Sequence, residues 1–182
     1  MNANQILNSY TAGERKFDQV NLHQVNLYAT DLSGVDFTES DLSGANLSYA
    51  NLNGCNFSRA NLTDADLSGA SLIGANLSEV NLIGADLTRA NLKNSNLTHA
   101  DLRGANITRA NLSGANLYEA EMSGANFTGA NFHAANLQGT NVIEAELNGA
   151  DITQAIITER EINGTVMRIG LSHRWITWAG YH

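Results

Sequence analysis

Histidine and cysteine side chains are the groups in this sequence that could bind a metal ion or act as a nucleophile. The five histidines are His23, His99, His133, His173 and His182. None stands at the short spacing that zinc ligands use, and Cys55 is the only cysteine. No Ser-His-Asp set, nucleotide-binding loop or acid pair stands out from the many Ser, Asp and Gly residues. The sequence therefore predicts no catalytic residue, no metal site and no cofactor.

A second set of chemically active side chains recurs at intervals of 20 residues. Its members are Glu39, Arg59, Glu79, His99 and Glu119. Arg59 and His99 each stand between two glutamates of this set, so the five side chains could form a ladder of ion pairs. Whether these side chains meet depends on the element that carries them.

That element is a sequence repeat with a period of five residues, here called the frame, which continues without interruption from Val20 to Ala155. Counted every five residues from Leu22 to Ile157, the central positions hold 19 Leu and four Phe among 28, and all are apolar. Two residues earlier, 19 of the 28 positions are Ala and the others are Val, Thr, Ser or Cys55. Cys55 therefore reads as a core residue, because it occupies the small position of the frame.

A period of five fits neither a helix nor a flat strand. On an α-helix five residues advance about 500°, and on a strand side chains alternate every two residues, so the leucines would not share one side. A chain that turns a corner once per pentad does place them on a common axis, and the abundant Asn, Asp, Gly and Ser suit frequent turns. Eight glycines from Gly34 to Gly124 are spaced by ten or twenty residues. This spacing predicts an even number of pentads per coil, and four is the smallest plausible closed polygon.

The pentads resemble a known family. Ala45-Asn46-Leu47-Ser48-Tyr49 and Ala85-Asp86-Leu87-Thr88-Arg89 look like the A(D/N)LXX signature of pentapeptide-repeat proteins. The resemblance implies an all-β fold, a right-handed quadrilateral β-helix or solenoid, with about seven coils of 20 residues. It places the central and small residues inside. Residues 10–17 also resemble the lead-in of cyanobacterial members.

The 20-residue register predicts two outer columns. The first is the ion-pair ladder from Glu39 to Glu119, in which Arg59 lies one coil from both Glu39 and Glu79. The alternative interpretations of this column are a solvated face and a recognition stripe. The second contains Asn56, Asn76, Asn96, Asn116 and Asn136, which could stack as an amide ladder.

The two ends of the chain stand outside the frame. Residues 1–16 predict a short helix, Ala3 to Ala12, stopped at Gly13 and capping the N-terminal end. The frame occupies residues 17–162. Residues 163–182 hold both tryptophans, Trp175 and Trp178, together with Tyr181. This tail is either a C-terminal cap or a contact through which a homodimer or another partner binds.

Composition narrows the function. The net charge of −8 disfavours direct nucleic-acid binding, and no apolar run is long enough to span a membrane, which predicts a cytoplasmic location. We therefore expect a non-catalytic scaffold that binds an unidentified protein partner. The alternative implied by the family is a DNA-mimicking inhibitor of DNA gyrase or another topoisomerase. Against it, the rod would carry one net charge per about 4 Å, less than half the density of duplex DNA.

Overall fold

A computed structural model describes residues 1–157 of the chain. Its single helix within that part, α1, runs over Ala3–Thr11. Asn2 is the N-cap: its side chain accepts from the Gln5 N–H, while the Gln5 side chain accepts from the Asn2 N–H, which completes a capping box. Gly13 follows with φ +96°, as the predicted stop requires. The predicted helix is present and ends one residue earlier than expected.

Every pentad contributes one residue to a parallel β-bridge. The bridges connect residue i with residue i+20, from Lys16 with Asp36 to Asn136 with Ile156, and within residues 1–157 they occur as isolated bridges rather than long strands. Around each bridge the hydrogen bonds alternate in direction: the Asn56 N–H donates to the Val35 carbonyl, and the Phe57 N–H donates to the Asn76 carbonyl. The chain therefore makes one coil every 20 residues.

Four columns of bridges give the rod four faces. We call them face 1 to face 4, after the columns that begin at Lys16, Asn21, Asn26 and Asp31 respectively. Two-residue turns separate the faces and form the corners. Face 4, for example, is bordered in one coil by the turn that contains Arg89 and by the turn that contains Lys93.

The corner turns explain the glycine pattern. The N–H of the small residue donates to the carbonyl of the preceding central residue, as in Val25 to Leu22 at 3.0 Å. The second turn residue has positive φ at every corner, in sixteen non-glycine residues as well as in the glycines. A left-handed conformation is least costly for glycine. Glycine at these positions lowers that cost. The glycine spacing predicts an even number of pentads per coil, and the register of 20 residues gives four.

The core is one continuous column inside the four faces. Central and small residues are buried along most of the rod, including Leu87, Ala90 and Cys55, and in the last described coil they are partly buried, as at Ile152 and Ala155. Under face 1 the Phe37 and Phe57 rings stack with centroids 5.2 Å apart. Each coil buries its apolar side chains only against its neighbours, so stability accumulates coil by coil.

The N-terminal end of this column is covered by α1. Ile6 is fully buried, while Leu7 and Tyr10 are partly buried against the core. The Tyr10 hydroxyl lies 3.3 Å from the Ser33 carbonyl, and the Arg15 guanidinium lies 3.7 Å from the Tyr10 ring centroid. These contacts attach α1 to the first coils. Within residues 1–157, no helix is long and apolar enough to cross a membrane.

Candidate functional site

The predicted ion-pair column lies on the corner between face 1 and face 2. Nη2 of Arg59 is 2.6 Å from Oε1 of Glu39 in the neighbouring coil. The Gln19 amide donates to the other oxygen of Glu39 at 2.9 Å. Arg59 therefore lies where the 20-residue register places it.

The ladder itself is not continuous, which corrects the sequence prediction. Glu79 makes no ion pair within residues 1–157, because Arg59 turns toward Glu39 instead. Two coils further, Nδ1 of His99 is 3.4 Å from Glu119, and the His99 ring meets Tyr118 edge to face. The column is thus two separate pairs around an unpaired carboxylate. Such exposed pairs contribute about 0 to 1 kcal/mol each, which fits a solvated corner.

The asparagine column forms an amide ladder with one break. The Asn76 amide donates to Asn56 at 2.9 Å, and the Asn96 amide donates to Asn76 at 3.2 Å. Asn116 instead donates to the Thr98 hydroxyl at 3.0 Å, and that hydroxyl in turn donates to the Asn96 side-chain oxygen. The ladder resumes where Asn136 donates to Asn116. These bonds join coils and satisfy polar groups, so they belong to the scaffold.

The residues with catalytic or metal-binding potential are dispersed. Within residues 1–157, no three His, Cys, Asp or Glu side chains come together as a metal site. The Cys55 thiol is buried and donates to the Leu32 carbonyl, and burial raises its pKa to about 12. His23 and His133 each bond a hydroxyl one coil away, Ser43 and Thr153. Cys55 is therefore an inert core thiol.

The predicted C-terminal contact, Trp175, Trp178 and Tyr181, lies outside the described residues. The last described coils enclose a small apolar cavity of about 20 Å³. It is lined by Met122, Phe132, Leu137, Thr140, Val142, Leu147, Ile152 and Ile157. That volume holds about one water molecule, so this cavity is too small for a substrate.

Face 4 has a charge pattern that the sequence prediction missed. Arg89 and Arg109 occupy equivalent turn positions in neighbouring coils, and Lys93 lies on the opposite edge of the same face; all three are exposed. Between them the Asn111 amide donates to Asn91 at 3.4 Å. The signal in the sequence is the lack of Asp and Glu on this face between Asn51 and Asn131, which becomes visible only when the chain is written in rows of 20.

Two exposed tyrosine rings lie nearer the N-terminal end of the corner between face 3 and face 4, the corner that also carries Arg89 and Arg109. Tyr28 and Tyr49 meet edge to face with centroids 5.9 Å apart, and they remain 57% and 62% exposed. Ile73, on the far edge of face 4, is 38% exposed. Basic and apolar side chains thus share this face, a combination that is common where proteins bind one another.

Comparison with known proteins identifies the repeat. A family profile described as pentapeptide repeats matches in eight copies, over residues 21–59, 40–78, 60–98, 75–114, 95–133 and 130–167. No curated protein matches the chain.

Solved structures of pentapeptide-repeat proteins are similar to this chain. HetL, involved in heterocyst differentiation regulation in the cyanobacterium Nostoc sp. strain PCC 7120, is 31% identical over 92% of this chain and 97% of its own, with a TM-score of 0.34. A pentapeptide-repeat protein of the Arabidopsis thaliana thylakoid lumen is 32% identical over 67% of this chain and 68% of its own, with a TM-score of 0.22.

A trypsin-treated variant of QnrB1, a plasmid-mediated fluoroquinolone resistance protein, shares the fold. It is 18% identical over 80% of this chain and 92% of its own, with a TM-score of 0.53. These neighbours imply that the four-faced rod is a right-handed quadrilateral β-helix. The chain belongs to the pentapeptide-repeat family.

Proposed function

We propose that this protein is a non-catalytic scaffold whose flat, rigid faces bind a protein partner. The observation that carries the proposal is the rod itself, in which four columns of bridges that repeat every 20 residues hold the outward side chains in fixed positions on four faces. Small-molecule pockets enclose about 300–1,000 Å³, whereas the cavity at the last coils measures about 20 Å³. This cavity is therefore too small for a substrate, whereas the four faces are open to a partner protein.

The backbone hydrogen bonds support binding through preorganised surfaces. Outward side chains are attached to coils that are bonded to both neighbours, as when the Arg89 N–H donates to the Thr108 carbonyl at 2.9 Å. A surface that is already ordered loses little conformational entropy when a partner docks. In this proposal residues 17–162 form the rod, with about seven coils of 20 residues, and residues 1–16 cap its N-terminal end.

Residues 163–182 are either the second cap or a contact through which two copies of the chain pair. Light scattering on the full protein and on its Trp175→Ala variant decides between them. A dimer that becomes a monomer in the variant supports pairing, and a monomer in both supports a cap. The proposed location is the cytoplasm, and fractionation of the native cells tests it.

Affinity capture from the native source tests the scaffold function. The full protein serves as bait beside its Arg59→Glu and Trp175→Ala variants, which change one corner and the tail separately. A captured protein is then purified and titrated calorimetrically against the bait. A micromolar or tighter complex supports the proposal. Failure of every captured protein to bind in the purified system contradicts it.

A gyrase or topoisomerase inhibitor that mimics DNA is the second candidate, because the rod shares its fold with QnrB1. The charge pattern speaks against this candidate. Duplex DNA presents one negative charge per about 1.7 Å on all sides, whereas face 4 carries Arg89, Lys93 and Arg109. A supercoiling assay decides the question, since a mimic inhibits gyrase at micromolar concentration and a scaffold of another kind does not.

A further inference from the structure

Face 4 of the rod contains no acidic residue over five successive coils. The chain has a net charge of −8. Nevertheless, the corner, bridge and corner positions of face 4 contain no Asp or Glu in residues 48–54, 68–74, 88–94, 108–114 and 128–134. Acids on face 4 are confined to Asp31 and Asp151, near the two ends of the described rod. At about 4.8 Å per coil, the acid-free area is roughly 24 Å long.

The other faces carry acids in the same part of the rod. Asp66 and Asp86 lie on face 3, Asp101 and Glu121 lie on face 2, and Glu79 stands on the corner that face 1 shares with face 2. The acid-free area is therefore a property of face 4 and not of the repeat, because every other face has an acid at a bridge or corner position in the same coils.

The arginines of face 4 differ from the other turn arginines in their partners. Arg59 binds Glu39, and Arg103 binds Asp101 with an Nη2 to Oδ2 distance of 2.7 Å. Arg89 and Arg109 make no ion pair and no side-chain hydrogen bond within residues 1–157. Their charge is available to an external ligand.

The register brings the two available arginines side by side. They occupy successive coils at equivalent positions, both with φ +59°, so their backbones are separated by about 4.8 Å. Like charges in neighbouring positions of a ladder destabilise it unless an anion lies between them. Planar guanidinium groups at this spacing can bind a single carboxylate together, or each can bind one of two neighbouring carboxylates, through paired hydrogen bonds.

The centre of face 4 adds hydrogen-bonding groups to these charges. The Asn91 carboxamide oxygen accepts from the Lys93 N–H at 3.2 Å and from the Asn111 amide at 3.4 Å. The Asn91 amide nitrogen donates to no partner within residues 1–157. The Asn91 amide can therefore donate a hydrogen bond to a ligand. It lies between the edge of face 4 that carries Arg89 and Arg109 and the edge that carries Lys93.

We propose that face 4 binds an acidic, extended segment of a partner protein, with the segment lying along the Arg89–Arg109 edge and its apolar side chains against Tyr49 and Ile73. The inference rests on the proposed scaffold function and names its partner chemistry. A protein segment fits better than a nucleic acid, because three cations on a chain of net charge −8 are few for a phosphate backbone. Salt limits the attraction to a Debye length of about 8–10 Å, so the local positive charge decides binding.

The test is the binding of a labelled oligoglutamate peptide to the full protein, measured by fluorescence anisotropy. The double variant Arg89→Gln, Arg109→Gln is compared with the matched variant Arg59→Gln, Arg103→Gln, which removes the same charge from other surfaces. Removal of the face 4 arginines weakens binding by about tenfold, whereas the matched variant stays within about twofold of wild type. Equal weakening in both variants overturns the proposal, because it reflects net charge alone.

Four further measurements complete the test. Oligoglutamine replaces oligoglutamate to isolate charge, and it binds at least tenfold more weakly if the proposal holds. Single-stranded oligothymidylate that binds more tightly than oligoglutamate overturns the proposal in favour of nucleic acid. Amide chemical shifts that move on face 4 during titration support it, and shifts confined to face 2 contradict it. Circular dichroism melts verify that both double variants are folded.

The protein captured from the native source separates failure of this inference from failure of the proposed function. If the purified partner binds wild type, loses affinity in the Arg59/Arg103 variant and retains it in the Arg89/Arg109 variant, the scaffold function stands and face 4 is not the site. If no purified partner binds wild type at all, the proposed function fails. Selective loss in the Arg89/Arg109 variant supports both.

Discussion

The Tyr49 ring lies directly over Gly69 of the next coil: a Cβ placed on Gly69 would stand 2.7 Å from Cε1 of Tyr49. Gly69 also has φ +65°. Two separate constraints therefore act on this glycine, one from its own backbone and one from the neighbouring coil. Gly74 has φ +66°, and a Cβ added there would meet no heavy atom within 4 Å, so only the first constraint acts on it.

These two glycines provide a matched pair of substitutions. Gly74→Ala costs about 1 kcal/mol of unfolding free energy, from the left-handed conformation alone. Gly69→Ala costs more, because the Tyr49 ring must also move. Urea denaturation measures both values. The excess at Gly69 disappears in a Tyr49→Ala background if the ring is its cause, and an excess that persists there contradicts this account.

The second prediction concerns the core column. Leu87 and Ala90 are 1% and 0% exposed. Leu87→Ala removes packed methyl groups between two coils and costs about 2–5 kcal/mol of unfolding free energy. Ala90→Leu inserts bulk at a corner and costs about 1–3 kcal/mol or more, through strain. Lys93→Ala on the surface is the control and stays within about 0.5 kcal/mol. Chemical denaturation checks all three, and a loss below about 1 kcal/mol for Leu87→Ala contradicts its place in the core.

The sequence predicts the scaffold well because the frame is local. Each pentad specifies its own turn and its own inward residues, so Leu87 and Ala90 can be assigned by counting, and the 20-residue register places Arg59 beside Glu39. Which neighbour a side chain binds is not decided within its own pentad, because the competing partners lie in other coils. Arg59 turns to Glu39 rather than to Glu79, and Asn116 chooses Thr98 over Asn96. Counting positions cannot decide which of two acceptors in neighbouring coils a side chain binds.

The third prediction concerns Cys55. Burial raises the pKa of its thiol to about 12, and the thiol donates to the Leu32 carbonyl at 3.1 Å. At about pH 8 almost no thiolate forms, and the side chain is 1% exposed, so iodoacetamide does not alkylate the native protein. The same reagent reacts in denaturant. Mass spectrometry reads the modification, and rapid labelling of the native protein would place Cys55 outside the core.

The fourth prediction is an acid-dependent loss of stability. The Ser43 hydroxyl donates to Asp41 at 2.6 Å, and this bond, followed by the Ser43 N–H, holds the pKa of Asp41 below its ordinary value. A lowered folded-state pKa contributes stability above the unfolded value of about 3.9, and that stability is lost as the pH falls below it. The urea concentration at the unfolding midpoint therefore decreases as the pH is lowered below about 4.

Asp41→Asn separates this residue from the other carboxyl groups. Asparagine keeps an oxygen that accepts from Ser43, and asparagine fills the same position in neighbouring pentads such as Asn61. We expect the variant to resemble wild type at about pH 7 and to lose less stability on acidification, because one carboxylate no longer takes up a proton on unfolding. Identical acid profiles for the two proteins would show that the Ser43 bond does not perturb Asp41.

The fifth prediction contrasts two arginines that occupy equivalent turn positions. Arg59 is 2.6 Å from the Glu39 carboxylate, whereas Arg89 stands in register with Arg109. Arg59→Gln loses an attraction and lowers the unfolding free energy by about 0 to 1 kcal/mol. Arg89→Gln relieves a repulsion and leaves the unfolding free energy unchanged or raises it by up to about 1 kcal/mol.

Salt distinguishes this electrostatic account from differences in packing. High ionic strength screens both interactions, so the two variants approach wild-type stability from opposite sides as salt is added. Parallel destabilisation by both substitutions at every salt concentration would mean that the guanidinium stems, and not their charges, matter. Opposite signs would show that the chain keeps two like charges adjacent although they oppose folding, and such a pair is best explained by an anionic group that binds there.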